Sequence, residues 1–122
     1  MGSSLGSIGL VHAEKGDLDK AIDYYGRSLV IQEELGDKHG MVGSLYSIGV
    51  VHANKGDYEK ATRYLEKSLA IHKEIGFKEF ELPNTTYLYV SYKHLGKDYN
   101  VNEIHSLIKD AENIKFEVNF KL

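Results

Sequence analysis

The chain has 122 residues, 42% of them hydrophobic and 27% charged, which suits one folded domain over residues 1–122 and excludes a disordered tail. With no Cys, it cannot build a disulfide framework, a thiolate metal site or a cysteine nucleophile. Its 15 basic and 18 acidic side chains leave a net charge of -3, the wrong balance for a nucleic-acid surface based on bulk positive potential.

No apolar run reaches the roughly 18 residues that span a bilayer, and no basic then apolar leader follows Met1. The expectation is a soluble, cytoplasmic protein that meets neither membrane nor nucleic acid. Chain order then shows a repeat. Gly9 and Gly49, Gly16, Gly56 and Gly96, and Gly36 and Gly76 are each spaced by 40 residues, and residues 1–40 match residues 41–80 at 21 of 40 positions. Self-similarity at such a period means stacked supersecondary units, none of which buries its apolar face alone. The units are 1–40, 41–80 and 81–122.

In the first unit Leu5, Ile8 and Val11 keep the three-residue step of one helix face, and Ile22, Tyr25, Leu29 and Ile31 mark a second helix. Between them stands Gly16-Asp17, repeated as Gly56-Asp57. Gly suits the left-handed residue after a helix and Asp the N-cap of the next. Gly36-Asp37 punctuates the join to the second unit. The pattern predicts six antiparallel helices, over about 3–14, 18–35, 38–54, 58–75, 84–95 and 102–118.

The third unit is irregular. Tyr89 replaces the small residue of Gly9 and Gly49, and Pro83 falls where the first helix of unit two is already running. Pro lacks a donor and disfavours helical dihedrals at the residue before it, so the fifth helix should start at or just before Pro83, or kink there. The ending "IKFEVNFKL" fits both an alternating strand and a helix stripe. By analogy with "SLAIHKEIG" it reads as the end of the sixth helix.

These residues resemble the tetratricopeptide-repeat (TPR) family, whose pattern is W-x2-L-G-x2-Y followed by A-x3-F. Unit one matches with Leu5, Ile8, Gly9, His12, Ala21 and Tyr25, and unit two with Leu45, Ile48, Gly49, His52, Ala61 and Leu65. The 40-residue period exceeds the family's usual 34 and is similar to the long-helix variety of kinesin light chains, Leu-Gly-Asn-repeat adaptors and prokaryotic signalling proteins. The resemblance implies an all-α, right-handed solenoid of about three helix-turn-helix repeats, with Gly9 and Gly49 at helix crossings.

The resemblance also implies a concave groove lined by the first helix of each unit. Its positions fall on Ser7, Leu10 and Glu14 with Gly6 and Ala13, then on Tyr46, Ser47, Val50 and Asn54 with Ala53, then on Tyr87, Val90, Lys93 and His94 with Thr86. Leu10, Val50 and Val90 stand where chaperone-tail-binding relatives clamp a carboxylate with Asn, and Ser7 and Ser47 replace the Asn ladder of the long-helix adaptors. What is left is a shallow, largely apolar groove, with Tyr46 and Tyr87 as aromatic anchors. The clustered tyrosines, including Tyr89, Tyr92 and Tyr99, read first as hairpin packing.

No catalytic constellation is present, and no cofactor or metal is implied. His12 and His52 are one repeat apart, about 10 Å at ordinary helix spacing, whereas two ligands of one metal each lie about 2 Å from it. They read as packing residues. His39, His72, His94 and His105 show no ligand spacing and read as surface residues, as do the acids of the second helices, among them Asp19, Asp23, Glu33 and Glu34. Two functions remain open. One is a non-enzymatic scaffold that binds a peptide or helix of a partner protein. The other is a self-assembling unit whose C-terminal helix, with Ile108, Ile114, Val118 and Leu122 on one side and Phe116 and Phe120 beside them, pairs with its copy in a homodimer, the favoured outcome, or docks on the first hairpin of another copy in a head-to-tail stack.

Overall fold

A computed structural model describes residues 2–76 and 81–96. Five helices occupy them: α1 (Gly2–Glu14), α2 (Leu18–Leu35), α3 (Lys38–Asn54), α4 (Tyr58–Ile75) and α5 (Glu81–Leu95). Consecutive helices pack along the whole series, while α1 touches α3 and α3 touches α5 more lightly. The first helices of the units thus form one wall and the second helices, α2 and α4, the other. The sixth helix expected over 102–118 and the association residues from Ile108 to Leu122 lie outside the described residues.

Local chemistry sets the boundaries. Gly16 and Gly56 both have φ of 80°, a conformation open to Gly because no Cβ meets the backbone there. The residues that follow cap the next helices, with Asp17 accepting from the Lys20 N–H at 3.5 Å, Asp57 from Lys60 at 3.3 Å and Asp37 from Gly40 at 3.0 Å. Helix α5 begins at Glu81, three residues before the expected 84, which places Pro83 in its first turn. The backbone N–H groups of a first turn have no intrahelical partner, so the donor that Pro lacks is not missed.

The hairpins close at glycines. A Cβ on Gly9 would stand 3.1 Å from the Tyr25 ring, and one on Gly49 would stand 2.7 Å from Leu65 Cγ. Only a bare Cα admits the second approach, while at the first the Tyr25 ring would have to give by a few tenths of an ångström. Around the first crossing Ala21, Tyr25, Ile48 and Val51 form one buried cluster, and around the second Ala61, Leu65 and Leu88 form another. Each large apolar side chain buried this way contributes roughly 1.5–3 kcal/mol. Charged pairs on the outside, such as Lys55 with Asp19 and Lys38 with Glu74, are solvated and add little.

His12 and His52 are packing residues, stacked on Tyr24 and Tyr64 with ring centroids 5.3 and 5.6 Å apart. His39 and His94 are exposed, the latter stacked on Tyr58. His72 corrects the surface reading, since it is buried in α4 at the place that Gln32 takes in α2. A histidine is as long as a glutamine, and the 40-residue register carries it inward.

Burial lowers the pKa of His72 below the ordinary 6.5. It also lowers that of His52, where Asp57 opposes the shift. Between 6.5 and these lower values the unfolded chain binds more protons than the folded one, so stability is complete above 6.5 and falls as pH drops through that window. His72→Gln, the residue of the equivalent position, should reduce the decline. Urea unfolding of both proteins at pH 7 and pH 5 checks this, and equal losses in the two would rule His72 out as a source.

Candidate binding groove

The wall of first helices is indented between α1 and α3 by a pocket of about 320 Å³. From α1 come Gly6, Ser7 and Leu10; α3 contributes Gly40, Gly43, Ser44 and Ser47; and the floor is Tyr25, Ser28 and Gln32 of α2. Leu10 stands over it 52% exposed. The floor is polar but knitted together. Ser44 donates to Gln32 Oε1 at 2.7 Å, and its Oγ lies 3.5 Å from that of Ser28. The Tyr25 side chain is hydrogen-bonded to Ser47, while burial raises its pKa.

Of the positions expected to line a groove, the structure brings Ser7, Leu10 and Ser47 together here. Glu14 and Asn54 lie exposed at the ends of α1 and α3. Val50 and Val90 are half-buried, and Lys93 and His94 are exposed in the last turn of α5. Tyr46 and Tyr87 are half-buried and pack on the Ala61, Leu65 and Leu88 cluster, edge to face with each other at 6.0 Å and 74°. Burial chiefly, with the neighbouring Tyr87 adding to it, pushes the Tyr46 hydroxyl up to about 12.

Sequence reasoning missed the α2 floor and Gly40, Gly43 and Ser44, because it carried over first-helix positions alone. A usable sign was present in the repeat itself. Gly40 and Gly43 stand where the next unit has Phe80 and Pro83. Gly40 is crowded by side-chain ends, since an added Cβ would meet Asp37 Oδ2 at 2.4 Å and Gln32 Nε2 at 2.7 Å and both would have to shift. Gly6 and Gly43 are different, for a Cβ on either meets nothing within 4 Å.

A helix-interior Gly costs about 0.5–1 kcal/mol relative to Ala. Gly6→Ala and Gly43→Ala should therefore each stabilise the fold by about that amount. Chemical denaturation measures it, and a loss of stability in either variant would mean that the glycine has a packing role after all. Gly26 on α2 is equally unobstructed, so openness by itself marks no site. Gly6 and Gly43 stand out because they face one shared space.

A second crevice, of about 500 Å³, runs over α3 on the opposite side, between Leu29 and Glu33 of α2 and Tyr64, Lys67 and Ile71 of α4. Among the described residues no group of three or more His, Asp or Glu side chains could hold a metal ion, and no helix is long and apolar enough to cross a membrane.

Antiparallel helix pairs closed by small residues, repeated at a fixed period and joined edge to edge, define a helical-repeat protein with one wall of first helices. A tetratricopeptide-repeat family model matches residues 1–74. The chain belongs to the tetratricopeptide-repeat family, whose units mediate protein–protein interaction. No match was found among curated proteins.

Proposed function

We propose that this chain is a non-enzymatic interaction module that binds an extended or helical segment of a partner protein along α1 and α3. The observation that carries the reading is the pocket between those helices, with Ser7, Leu10 and Ser47 at its edge and Leu10 exposed above it. Concave sites with a few fixed polar groups are where proteins take ligands. Selection from a displayed random-peptide library tests it. Bound peptides should lose at least about tenfold in affinity against Leu10→Glu, a change that leaves the buried clusters untouched. A library that yields no binder, or binders indifferent to Leu10→Glu, would sink the reading.

A second reading, association through a terminal helix, is favoured by one feature of α1. Ile8 and Val11 are 41% and 47% exposed, whereas their equivalents Ile48 and Val51 are 2% and 4% exposed beneath α2. The α1 face therefore has the composition of a surface that a second helix covers. Sedimentation velocity over a concentration range tests it, with self-association expected to disappear in Ile8→Asp/Val11→Asp. A monomer at high micromolar concentration would overturn it.

A further inference from the structure

The second unit contains an occupied counterpart of the α1–α3 pocket. Through the 40-residue equivalence, Gly6, Gly43 and Ser47 correspond to Tyr46, Pro83 and Tyr87, and the floor residues Tyr25 and Gln32 to Leu65 and His72. One repeat along, the paired rings of Tyr46 and Tyr87 pack on the Leu65 cluster. Between α1 and α3 the same place is open because its side chains have been reduced to two hydrogens and a hydroxymethyl group. Its volume of about 320 Å³ lies at the small end of ligand pockets and leaves room for a bulky side chain. None of the residues lining it is charged, so it offers nothing to an ionic group.

Gln32 supplies an independent sign. It is only 9% exposed, and its Oε1 is taken by Ser44. Its Nε2 makes no hydrogen bond among the described residues. That amide lies on the pocket floor beside Gly40, 2.7 Å from where a Cβ there would stand. An amide open to the pocket in this way can exchange its water for an acceptor brought in by a ligand. Aromatic side chains also supply large contact area with little entropy to lose.

We infer that the pocket between α1 and α3 is the subsite for a tyrosine side chain of the bound segment, its ring taking the place that Tyr46 and Tyr87 fill one repeat along and its hydroxyl oxygen accepting from Gln32 Nε2. The inference rests on the groove reading above and adds the residue that the groove selects. Leucine would fill less of the space and leave the amide unmet, and phenylalanine would fill it without the acceptor.

Titration of N-acetyl-tyrosinamide into 15N-labelled protein tests the assignment directly. Saturable shifts are expected at the amides of Gly6, Gly43 and Ser44, with a Kd in the millimolar range appropriate to so small a probe. N-acetyl-phenylalaninamide should bind at least about threefold more weakly for want of the hydrogen bond, and N-acetyl-leucinamide more weakly still. Gly6→Tyr/Ser47→Tyr rebuilds the ring pair inside the pocket and should abolish the shifts. Gly6→Tyr alone, placed where a Cβ meets nothing, should abolish them with thermal stability retained.

No saturable shift with N-acetyl-tyrosinamide, or equal affinity for the leucine probe, would overturn the subsite whatever peptides do. Selected peptides separate it from the groove reading. If they lose affinity against Leu10→Glu yet bind Gly6→Tyr as tightly as the parent, the groove stands and the tyrosine subsite falls. If they carry a tyrosine whose change to alanine costs at least about tenfold, and Gly6→Tyr costs the same, both stand.

Discussion

Gly49→Leu is expected to lower stability by about 3 kcal/mol, at or beyond the upper end of the range for overpacking. The reason lies in the second hairpin. A Cβ at this position would stand 2.7 and 2.8 Å from Leu65 Cγ and Cδ2 and 3.4 Å from the Ala61 carbonyl oxygen. Leu65 has no room to withdraw, being fully buried beside Ala61 and Leu88. A loss of that size corresponds to a fall in thermal midpoint of roughly 9–18 °C for a domain of this size. Circular dichroism melts of wild type and variant read it, and an unchanged midpoint would refute the helix crossing.

The second large effect is a contrast between two isoleucines. Ile48→Ala should cost about 2–5 kcal/mol, because the residue is 2% exposed in the cluster with Ala21, Tyr25 and Val51 and its removal leaves a cavity. Ile8→Ala, at the same position of the preceding unit but 41% exposed, should cost under about 1 kcal/mol in the isolated chain. Urea unfolding at low concentration gives both numbers. A large cost at Ile8 that grows with protein concentration would instead mean that another copy covers α1, since binding to the folded form adds to apparent stability. Equal, concentration-independent costs would contradict the placement of α1 at the edge of the described array.

Much of this molecule is written in short-range patterns. The ranges of α2, α3 and α4 agree with the expected 18–35, 38–54 and 58–75, because helix starts and stops depend on a few adjacent residues, Asp at the N-cap and Gly in the left-handed region. The crossings at Gly9 and Gly49 were equally legible, since two small residues one period apart, each paired with an alanine, Ala21 or Ala61, imply close approach. The start of α5 was less so. Pro83 forbids a helix interior around itself but tolerates any of several places in a first turn.

The groove was legible only in part. Ser7, Leu10 and Ser47 follow from the first-helix register, but the pocket they edge depends on α2 as well. Its opening depends on what is absent at Gly6 and Gly43. Comparing the units for their differences, Gly6 against Tyr46 and Ser47 against Tyr87, points to that opening more directly than the shared pattern does.

By itself, then, the sequence determined the period, the boundaries of α2, α3 and α4, the hairpin crossings and the family, all properties of near neighbours along the chain or of a register repeated in it. Tertiary structure alone decided which copies of the same residue are buried. Ile8 and Ile48, or Val11 and Val51, have nearly the same sequence context, yet α2 covers only the second of each pair. It alone also turned His72 inward in the place of Gln32 and left a space between α1 and α3 where the next repeat has rings. Burial and cavity shape depend on which surfaces stack against which, and a repeat whose units nearly match hides that difference until the units are placed side by side.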